Sequence, residues 1–584
     1  MSLPSLTEFD IIFAGGGATA CVVAGRLAAC DPSLKILVLE AEYHGHIQYW
    51  DPTPRLNGRA LIVPSGHSVG GGSSVNFGAY TRAPASDFDD WAVDGWKSGD
   101  LIPLMKKLET YEVQPNRPTH GYNGPIKISS GGYKLGICNE FVHVGTTYHK
   151  RPYAEDTDNL ETCNTYSPWA KYIDGATGRR SDAAHYVYNQ AHNPNLQLWV
   201  GKRVKRVIFE DKRAVGVEFT SDLVSPDADQ SLNTVRASKL VVVSAGAFGS
   251  PAILERSGIG AEAVLRRCGI EQLVNLPGVG ENYKDHNAVL VPYFVADGAV
   301  TMDSLWRGEE SVVKGALAQW NRNGRSLIAS NGVDAKIKWR PDGDELKAMG
   351  LAFQPRWKEF FQDRADKAVA IFSLIAGYVG PLMGTLPPRN YMMAAYFSLY
   401  PASVGSVHIK LEENGKEGLD FTPGFLDDPS DIIPLNFAYK KMREIYRRMP
   451  SYRGELPDCH PSFPEGSAAV CGEASGPVDL NAPDIIYTAE DDEAIDKYHR
   501  DYVQTTWHSL GTCAMKPEAE RGVVDARLNV YGVSNLKVAD MSIAPKNVGT
   551  NTYSTALLIG EKAAMIISAE LGIDFTVQSI VDGK

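Results

Sequence analysis

The sequence is poor in the features that would assign it to several large classes. Its eight cysteines, at 21, 30, 138, 163, 268, 459, 471 and 513, form no CxxC pair and no metal-like spacing. That scatter suits reduced thiols in a cytosolic protein and argues against zinc or disulfide redox chemistry. Positive charge is in deficit, since 58 Lys and Arg stand against 70 Asp and Glu, a formal net charge of -12. Nucleic acid and anionic membranes need clustered cations to replace counterions, so neither is expected as a partner. One uncharged run, Ala368 to Pro387, is long enough to raise the question of a membrane span. Gly377, Gly380, Pro381, Gly384 and Pro387-Pro388 break it, so a buried strand "AVAIFSLIAGYVG" followed by a loop is expected instead. The opening "MSLPSLTEFD" lacks the basic and apolar segments of a secretory signal, and the closing "VDGK" is not an S-K-L type peroxisomal address. A cytoplasmic location is the expectation. Internal repeats and low-complexity linkers are also missing.

What is present is a composition that can form a core: 43% of the 584 residues are apolar and 22% are charged. "FDIIFAGGGATACVVAGRLA" reads as a strand from Phe9 to Ala14, a glycine turn, and a helix from about Thr19. "LKILVLEA" is a second strand ending at Glu40. In this β-α-β unit Gly15 permits the tight turn, Gly17 lets the backbone approach a pyrophosphate, and Ala20 is the third small position, where helix packs on strand. Phosphate is favoured at the helix N-terminus by free N–H groups and the macrodipole. Glu40 is placed to accept hydrogen bonds from an adenosine ribose. The pattern is that of a dinucleotide site, and it does not choose between NAD and FAD.

Further apolar runs suggest how the chain is organised. "KLVVVSAGAFGSP" (Lys239 to Pro251) reads as a third strand of a parallel sheet, and "NLKVADMS" (Asn535 to Ser542) as a fourth, followed by the amphipathic segment "TYSTALLIGEKAAMIISAEL". Between them "AVAIFSLIAGYVG", "NYMMAAYFSLYP" and "GSVHIKL" predict an antiparallel sheet in an inserted second domain. "PLNFAYKKMREIYRRM" predicts one helix of that domain, with its basic residues on a solvated face.

Five ordered motifs carry a family resemblance across nearly the whole chain: "GHSVGGGSSVN" (Gly66 to Asn76), "GAFGSPAILERSGIG" (Gly246 to Gly260), "NLPGVGENYKDH" (Asn275 to His286), "TTWHSLGT" (Thr505 to Thr512) and "LKVADMSIAPKNVGTNTYSTALLIGEKAA". With "RLNGR" and "YTRAPASDFDDW", they resemble the glucose-methanol-choline (GMC) flavoprotein oxidoreductases, and most of all the alcohol (methanol) oxidase branch. The resemblance implies an α/β protein whose Rossmann-like FAD-binding domain carries an inserted α+β substrate domain on an antiparallel sheet. The expected division gives 1–130, 183–292 and 502–584 to the FAD-binding domain and 131–182 and 293–501 to the substrate domain. The implied activity is FAD-dependent oxidation of a short primary alcohol, with O2 as acceptor and H2O2 as product. An FAD dehydrogenase using another acceptor or a bulkier aryl alcohol is one alternative, and a lyase or non-redox flavin-binding protein is another. The resemblance also leaves open a homo-oligomer and a peroxisomal location. Two departures stand out: the stretch after Glu40 is short, and His67 occupies a position where a basic residue or Asn is usual. Members with covalent flavin place a histidine just before the signature asparagine. Here that residue is Val75, so non-covalent FAD is expected.

Alcohol oxidation by hydride transfer needs a base for the hydroxyl proton and a donor for the developing alkoxide. By resemblance to the family's paired positions, His508 is that base and Asn551 its neutral partner. A histidine suits the task near neutral pH. Trp507 and Phe77 are expected to wall the substrate pocket. Gly71, Ser74 and Asn76 of the first signature are expected to contact the cofactor. Asp540 is expected at its ribityl or pyrophosphate portion, and Thr552 and Tyr553, which open the last helix, near its reduced ring. His286 is expected to be structural and His67 a solvent-facing loop residue. No metal site is expected.

Overall fold

Two sheets, each of seven strands among the described residues, organise the computed structural model, which describes residues 8–41, 46–49, 53–221, 231–412, 415 and 417–575. In the first, the strands run in the order Leu196–Val200, Ile36–Glu40, Glu8–Ala14, Asn233–Val243, Arg213–Ser221 and Lys202–Glu210. The strand Leu536–Val538 lies parallel to the C-terminal half of Asn233–Val243, with Val241 facing Leu536. The first four strands are mutually parallel, and Ile36–Glu40, Ile11–Ala14 and Leu240–Val243 are nearly continuous buried apolar runs, as the covered part of such a sheet requires. The chain thus returns after about 300 residues to complete the sheet it began.

Sequence explains the first turn directly. Gly15 has φ +111°, and a Cβ there would lie 2.4 Å from the Ser244 carbonyl oxygen, so no other residue fits the crossing between strand and helix Ala18–Cys30. Ala20 is fully buried in that helix, which packs on the C-terminal helix Tyr553–Leu571. Thr19 Oγ1 donates to the Ala556 carbonyl at 2.9 Å across the same contact.

The second sheet is antiparallel, in the order Tyr452–Glu455, Asn287–Val295, Tyr391–Ser398, Ala370–Ile375, Ala335–Trp339 and Tyr166–Pro168. The short strand Gln504–Thr505 also pairs with Asn287–Val295, Thr505 opposite Asn287. The uncharged run that raised the membrane question is the central strand Ala370–Ile375, buried along its whole length. No helix among the described residues is long and apolar enough to cross a membrane. Each sheet has its own apolar core.

Three expectations need correction. The run Lys239 to Pro251 is not one strand: pairing ends at Val243, and the helix Gly246–Arg256 begins three residues later. "GSVHIKL" does not join the second sheet among the described residues; Ser406–Leu411 pairs with Glu417–Thr422 in a separate hairpin. The helix Ile432–Tyr446 does not present all its basic residues to solvent. Arg443 is buried against Glu455 at 3.0 Å, and Arg448, just past its end, is buried against Glu444 and Asp484. A cation pattern on a helix cannot reveal partners supplied by distant segments. The stretch after Glu40 lies outside the described residues at 42–45 and 50–52, as do most of the opening decapeptide and the terminal "VDGK".

Candidate active site

A cavity of about 1260 Å³ runs between the two sheets. At one end it is walled by Gly15, Gly17, Ala18 and Glu40, at the other by Trp507, His508 and Asn551. This exceeds the roughly 300–1,000 Å³ of an ordinary small-ligand pocket. The glycine end has the form of a pyrophosphate cradle. Gly17 caps the 13-residue helix Ala18–Cys30, whose first N–H groups face the cavity. A Cβ on Gly17 would meet protein no closer than 3.6 Å, so its smallness is not demanded by packing and leaves a ligand room to approach. Glu40 ends its strand buried, and its Oε2 accepts from the Gly16 N–H at 2.8 Å. The loop Gly66–Asn76 closes against this turn, with Gly70 N–H donating to the Gly16 carbonyl at 2.8 Å. These features fit a dinucleotide cofactor.

At the far end, pairing of Thr505 with Asn287 brings two histidines together across 222 residues. His508 Nδ1 lies 2.8 Å from His286 Nδ1, and His286 Nε2 lies 2.8 Å from the Val548 carbonyl. The carbonyl can only accept, so His286 Nε2 carries a proton and its Nδ1 is a lone pair. His508 Nδ1 therefore donates to it, which leaves the His508 lone pair on Nε2. That Nε2 lies 3.2 Å from Asn551 Nδ2. Thr81 fixes the Asn551 amide, since its Oγ1 donates to Oδ1 at 2.9 Å and accepts from the Asn551 N–H at 3.1 Å. The segment leading to Asn551 is held as well. Gly549 N–H donates to the buried Asp87 at 2.6 Å, and a Cβ on Gly549 would lie 2.1 Å from the Tyr400 hydroxyl.

Asp285 organises the turn that carries His508. Its buried carboxylate accepts from the N–H groups of His286 (2.7 Å) and His508 (3.2 Å) and from the hydroxyls of Thr505, Thr506 and Ser509. Trp507 is thereby held at φ +63°, with 41% of its surface exposed, and stacks on Phe77 at 5.7 Å with the rings 8° from parallel. The two aromatics expected to be pocket walls thus lie against each other on the cavity surface.

The remaining expected residues are more mixed. Gly71, Asn76, Asp540, Thr552 and Tyr553 line the cavity. The Asn76 amide oxygen is already engaged by Arg180 Nη1 (2.7 Å) and by the Gly78 N–H (2.8 Å). Ser74 differs from expectation: its hydroxyl donates to the Val69 carbonyl at 2.7 Å, and its neighbours Ser73 and Val75 line the cavity instead. The Asp540 carboxylate is held by the Gly246 N–H (2.9 Å), Ser250 Oγ (2.5 Å) and the Ser542 N–H (2.8 Å), which makes it the cap of the turn Met541–Ile543 on the cavity wall. His67, expected to face solvent, lines the cavity. His286, expected to be structural, contacts the His508 ring. Sequence reasoning missed Thr81, Asp285 and Asp87; the "KDH" motif marked Asp285 and His286 as a pair but gave no clue to their partners.

Burial pushes the His508 ring well below the ordinary imidazole value, with His286 adding to the effect. Burial also lowers His286 and His460 to about 4 and His499 to about 3. The unfolded chain binds protons at these sites below pH ~6.5, whereas the folded chain refuses them until near pH 4. Their contribution to stability is therefore complete above pH ~6.5 and falls as acid is added, by up to about 1.4 kcal/mol per pH unit for each ring. We expect a melting midpoint clearly lower at pH 5 than at pH 7.5 at constant ionic strength; equal midpoints would contradict the burial of these rings in their neutral form.

Two family models, both described as GMC oxidoreductase, match residues 9–288 and 401–560. The chain is 40% identical to alcohol oxidase 1 of Komagataella phaffii, over 98% of this chain and 96% of the relative. It is 39% identical to an alcohol oxidase of Candida boidinii, with the same coverage. Among solved structures, an FAD-dependent oxidoreductase from Chaetomium thermophilum superposes with a TM-score of 0.80 at 22% identity, covering 97% of this chain and 100% of that one.

Proposed function

The chain belongs to the GMC oxidoreductase family, and from that premise we propose that it is an FAD-dependent alcohol oxidase, converting a primary alcohol to its aldehyde with O2 reduced to H2O2. The Gly15–Gly17 turn and the helix N-terminus beyond it hold the pyrophosphate. Glu40 receives the ribose, and the loop Gly71–Asn76 with Thr552 and Tyr553 borders the ring system. Bound FAD supplies the acceptor for the carbinol hydride. The parallel sheet and its turns carry that cofactor, and the antiparallel sheet, which takes in Asn287–Val295 across the expected boundary at 292, supplies the substrate wall.

The observation that carries this reading is the 3.2 Å approach of His508 Nε2 and Asn551 Nδ2 on the wall of the cavity. One is a lone pair and the other a donor. An alcohol hydroxyl set between them donates to Nε2 and accepts from Nδ2, so the proton has a destination and the oxygen a neutral donor as negative charge grows. The depressed basicity of His508 keeps Nε2 unprotonated near neutral pH. Relatives that are 39–40% identical bear the name alcohol oxidase, which supports the same reaction. Anaerobic mixing of the holoprotein with ethanol tests the reading: we expect the oxidised flavin spectrum to bleach and to return with peroxide on admission of air. Persistence of the oxidised spectrum with every alcohol tried would instead indicate a lyase or a non-redox protein.

We further propose that FAD is held without a covalent bond, because the isopropyl side chain of Val75 stands where a linking histidine would be. Acid precipitation should leave the yellow cofactor in the supernatant; a coloured pellet would reject this. Thr81→Val, nearly isosteric, removes both bonds that orient the Asn551 amide. Losing a net hydrogen bond of about 1 kcal/mol should lower kcat/KM about fivefold. Unchanged kcat/KM would show that Asn551 orients itself.

A further inference from the structure

The geometry points to a second element of substrate recognition: an apolar seat for an unbranched aliphatic tail on the face of the antiparallel sheet, beyond the His508–Asn551 pair. It rests on the alcohol oxidase reading and names the substrate class of the same site. Six residues of the cavity wall, Ala288, Leu290, Ser373, Ile375, Ala395 and Phe397, fall at alternate positions of three adjacent strands. They therefore share one face. The register aligns them in rows: Ala288 lies opposite Phe397, and Leu290, Ala395 and Ser373 sit side by side. The seat begins at the catalytic pair, because the Phe397 ring is 6.1 Å from the His508 ring and Ala288 pairs with Gln504.

No group on this floor asks for a polar partner. The Ser373 hydroxyl donates to the Ala335 carbonyl at 3.0 Å, and the indole N–H of Trp169, also on the cavity wall, donates to the Tyr80 carbonyl at 2.9 Å. The charged side chains of the cavity wall, Glu40, Lys202, Arg203, Lys205, Arg256, Asp540 and the hairpin's Lys410, Glu412 and Glu417, are borne by the first sheet, the helix and turn beside it and the hairpin, not by the antiparallel sheet. A polyol would lose its hydration here without replacement, and a quaternary ammonium would find no carboxylate. Both are disfavoured by the cost of burying unpaired polar groups or charge. An alkyl chain gains instead, by about 0.8 kcal/mol for each methylene removed from water.

The shape selects a slim chain. Phe397 and the stacked Phe77–Trp507 pair flank His508, which restricts width at the carbon next to the carbinol. Farther on, Ala395 and Ser373 are the small residues of their row, so the floor is low from its middle to the Ser373 end. A row across three strands at about 4.8 Å spacing spans roughly 10 Å, the length of a chain of about six to eight carbons.

Steady-state kinetics of the holoenzyme with methanol, 1-butanol, 1-hexanol and benzyl alcohol test the seat, alongside anaerobic bleaching by each. We expect kcat/KM to rise up to about fourfold per added methylene, the equivalent of 0.8 kcal/mol, and benzyl alcohol to fall below 1-hexanol. Ala395→Leu, which fills the trough, should lower the ratio of the 1-hexanol to the methanol value at least tenfold, with flavin content as the check on folding. Leu290→Ala, which shortens the row, should lower the same ratio less. A native enzyme whose kcat/KM is greatest with methanol and falls steadily with chain length overturns the seat while leaving the oxidase reading intact. Benzyl alcohol exceeding 1-hexanol overturns the unbranched tail in favour of an aryl group, and no bleaching by any alcohol overturns both readings.

Discussion

His508→Ala should reduce the rate of anaerobic flavin bleaching by about 10²–10⁴, the range for removal of a general base, with flavin still bound. The size follows from position rather than from strong basicity. Burial holds the ring neutral, so it is a weak base whose contribution is to have a lone pair already aimed where the hydroxyl proton leaves. Cofactor retention is expected because the glycine cradle is built from other segments and contains no atom of His508. A bleaching rate within a few-fold of the native value would reject His508 as the base. Loss of flavin would instead show that the C-terminal turn helps to hold the cofactor.

His286→Leu should cost about 10²-fold in kcat/KM, the scale expected when a reacting group is misplaced by about an ångström. His286 reaches no reacting atom in this reading; it is a positioning residue. By accepting a hydrogen bond from the His508 Nδ1–H and donating its own Nε2–H to the Val548 carbonyl, it forces the only tautomer of His508 with a lone pair on the cavity side. Leucine removes that acceptor, so the other tautomer becomes competitive and much of the enzyme presents an N–H where a base is needed. Asparagine at the same position keeps an acceptor close to the place of Nδ1, and His286→Asn should recover about tenfold of the loss. A role in packing alone predicts no such rescue, because asparagine fills the space worse than leucine. Equal activity of the two variants would therefore discard the tautomer argument, as would a leucine variant as active as the native protein.

The cofactor end was legible in the sequence because its chemistry is local. Strand, glycine turn, helix and the acid of the next strand span Glu8 to Glu40, and each conformational demand falls on a residue whose type announces it. Gly15 sits where only glycine fits, and Glu40 ends its strand facing the turn. The central strand Ala370–Ile375 was legible too, because uninterrupted burial leaves an uninterrupted apolar run. The hydrogen-bond partners of Ser74 and Asp540 were not legible for one reason: a polar side chain near a cofactor loop can be spent on the loop itself, and sequence does not say which acceptor or donor it will find first.

By itself the sequence determined the β-α-β turn and the two kinds of sheet. Those features depend on periodicity and on contacts within some thirty residues, which residue types encode directly. Only the tertiary structure decided which nitrogen of His508 carries its lone pair. That choice is made by a chain of hydrogen bonds through His286 to Val548, contributed by three segments far apart in the chain and joined by the pairing of Asn287 with Thr505. Proton position follows donors and acceptors in space, and no local pattern records which distant segment will supply them.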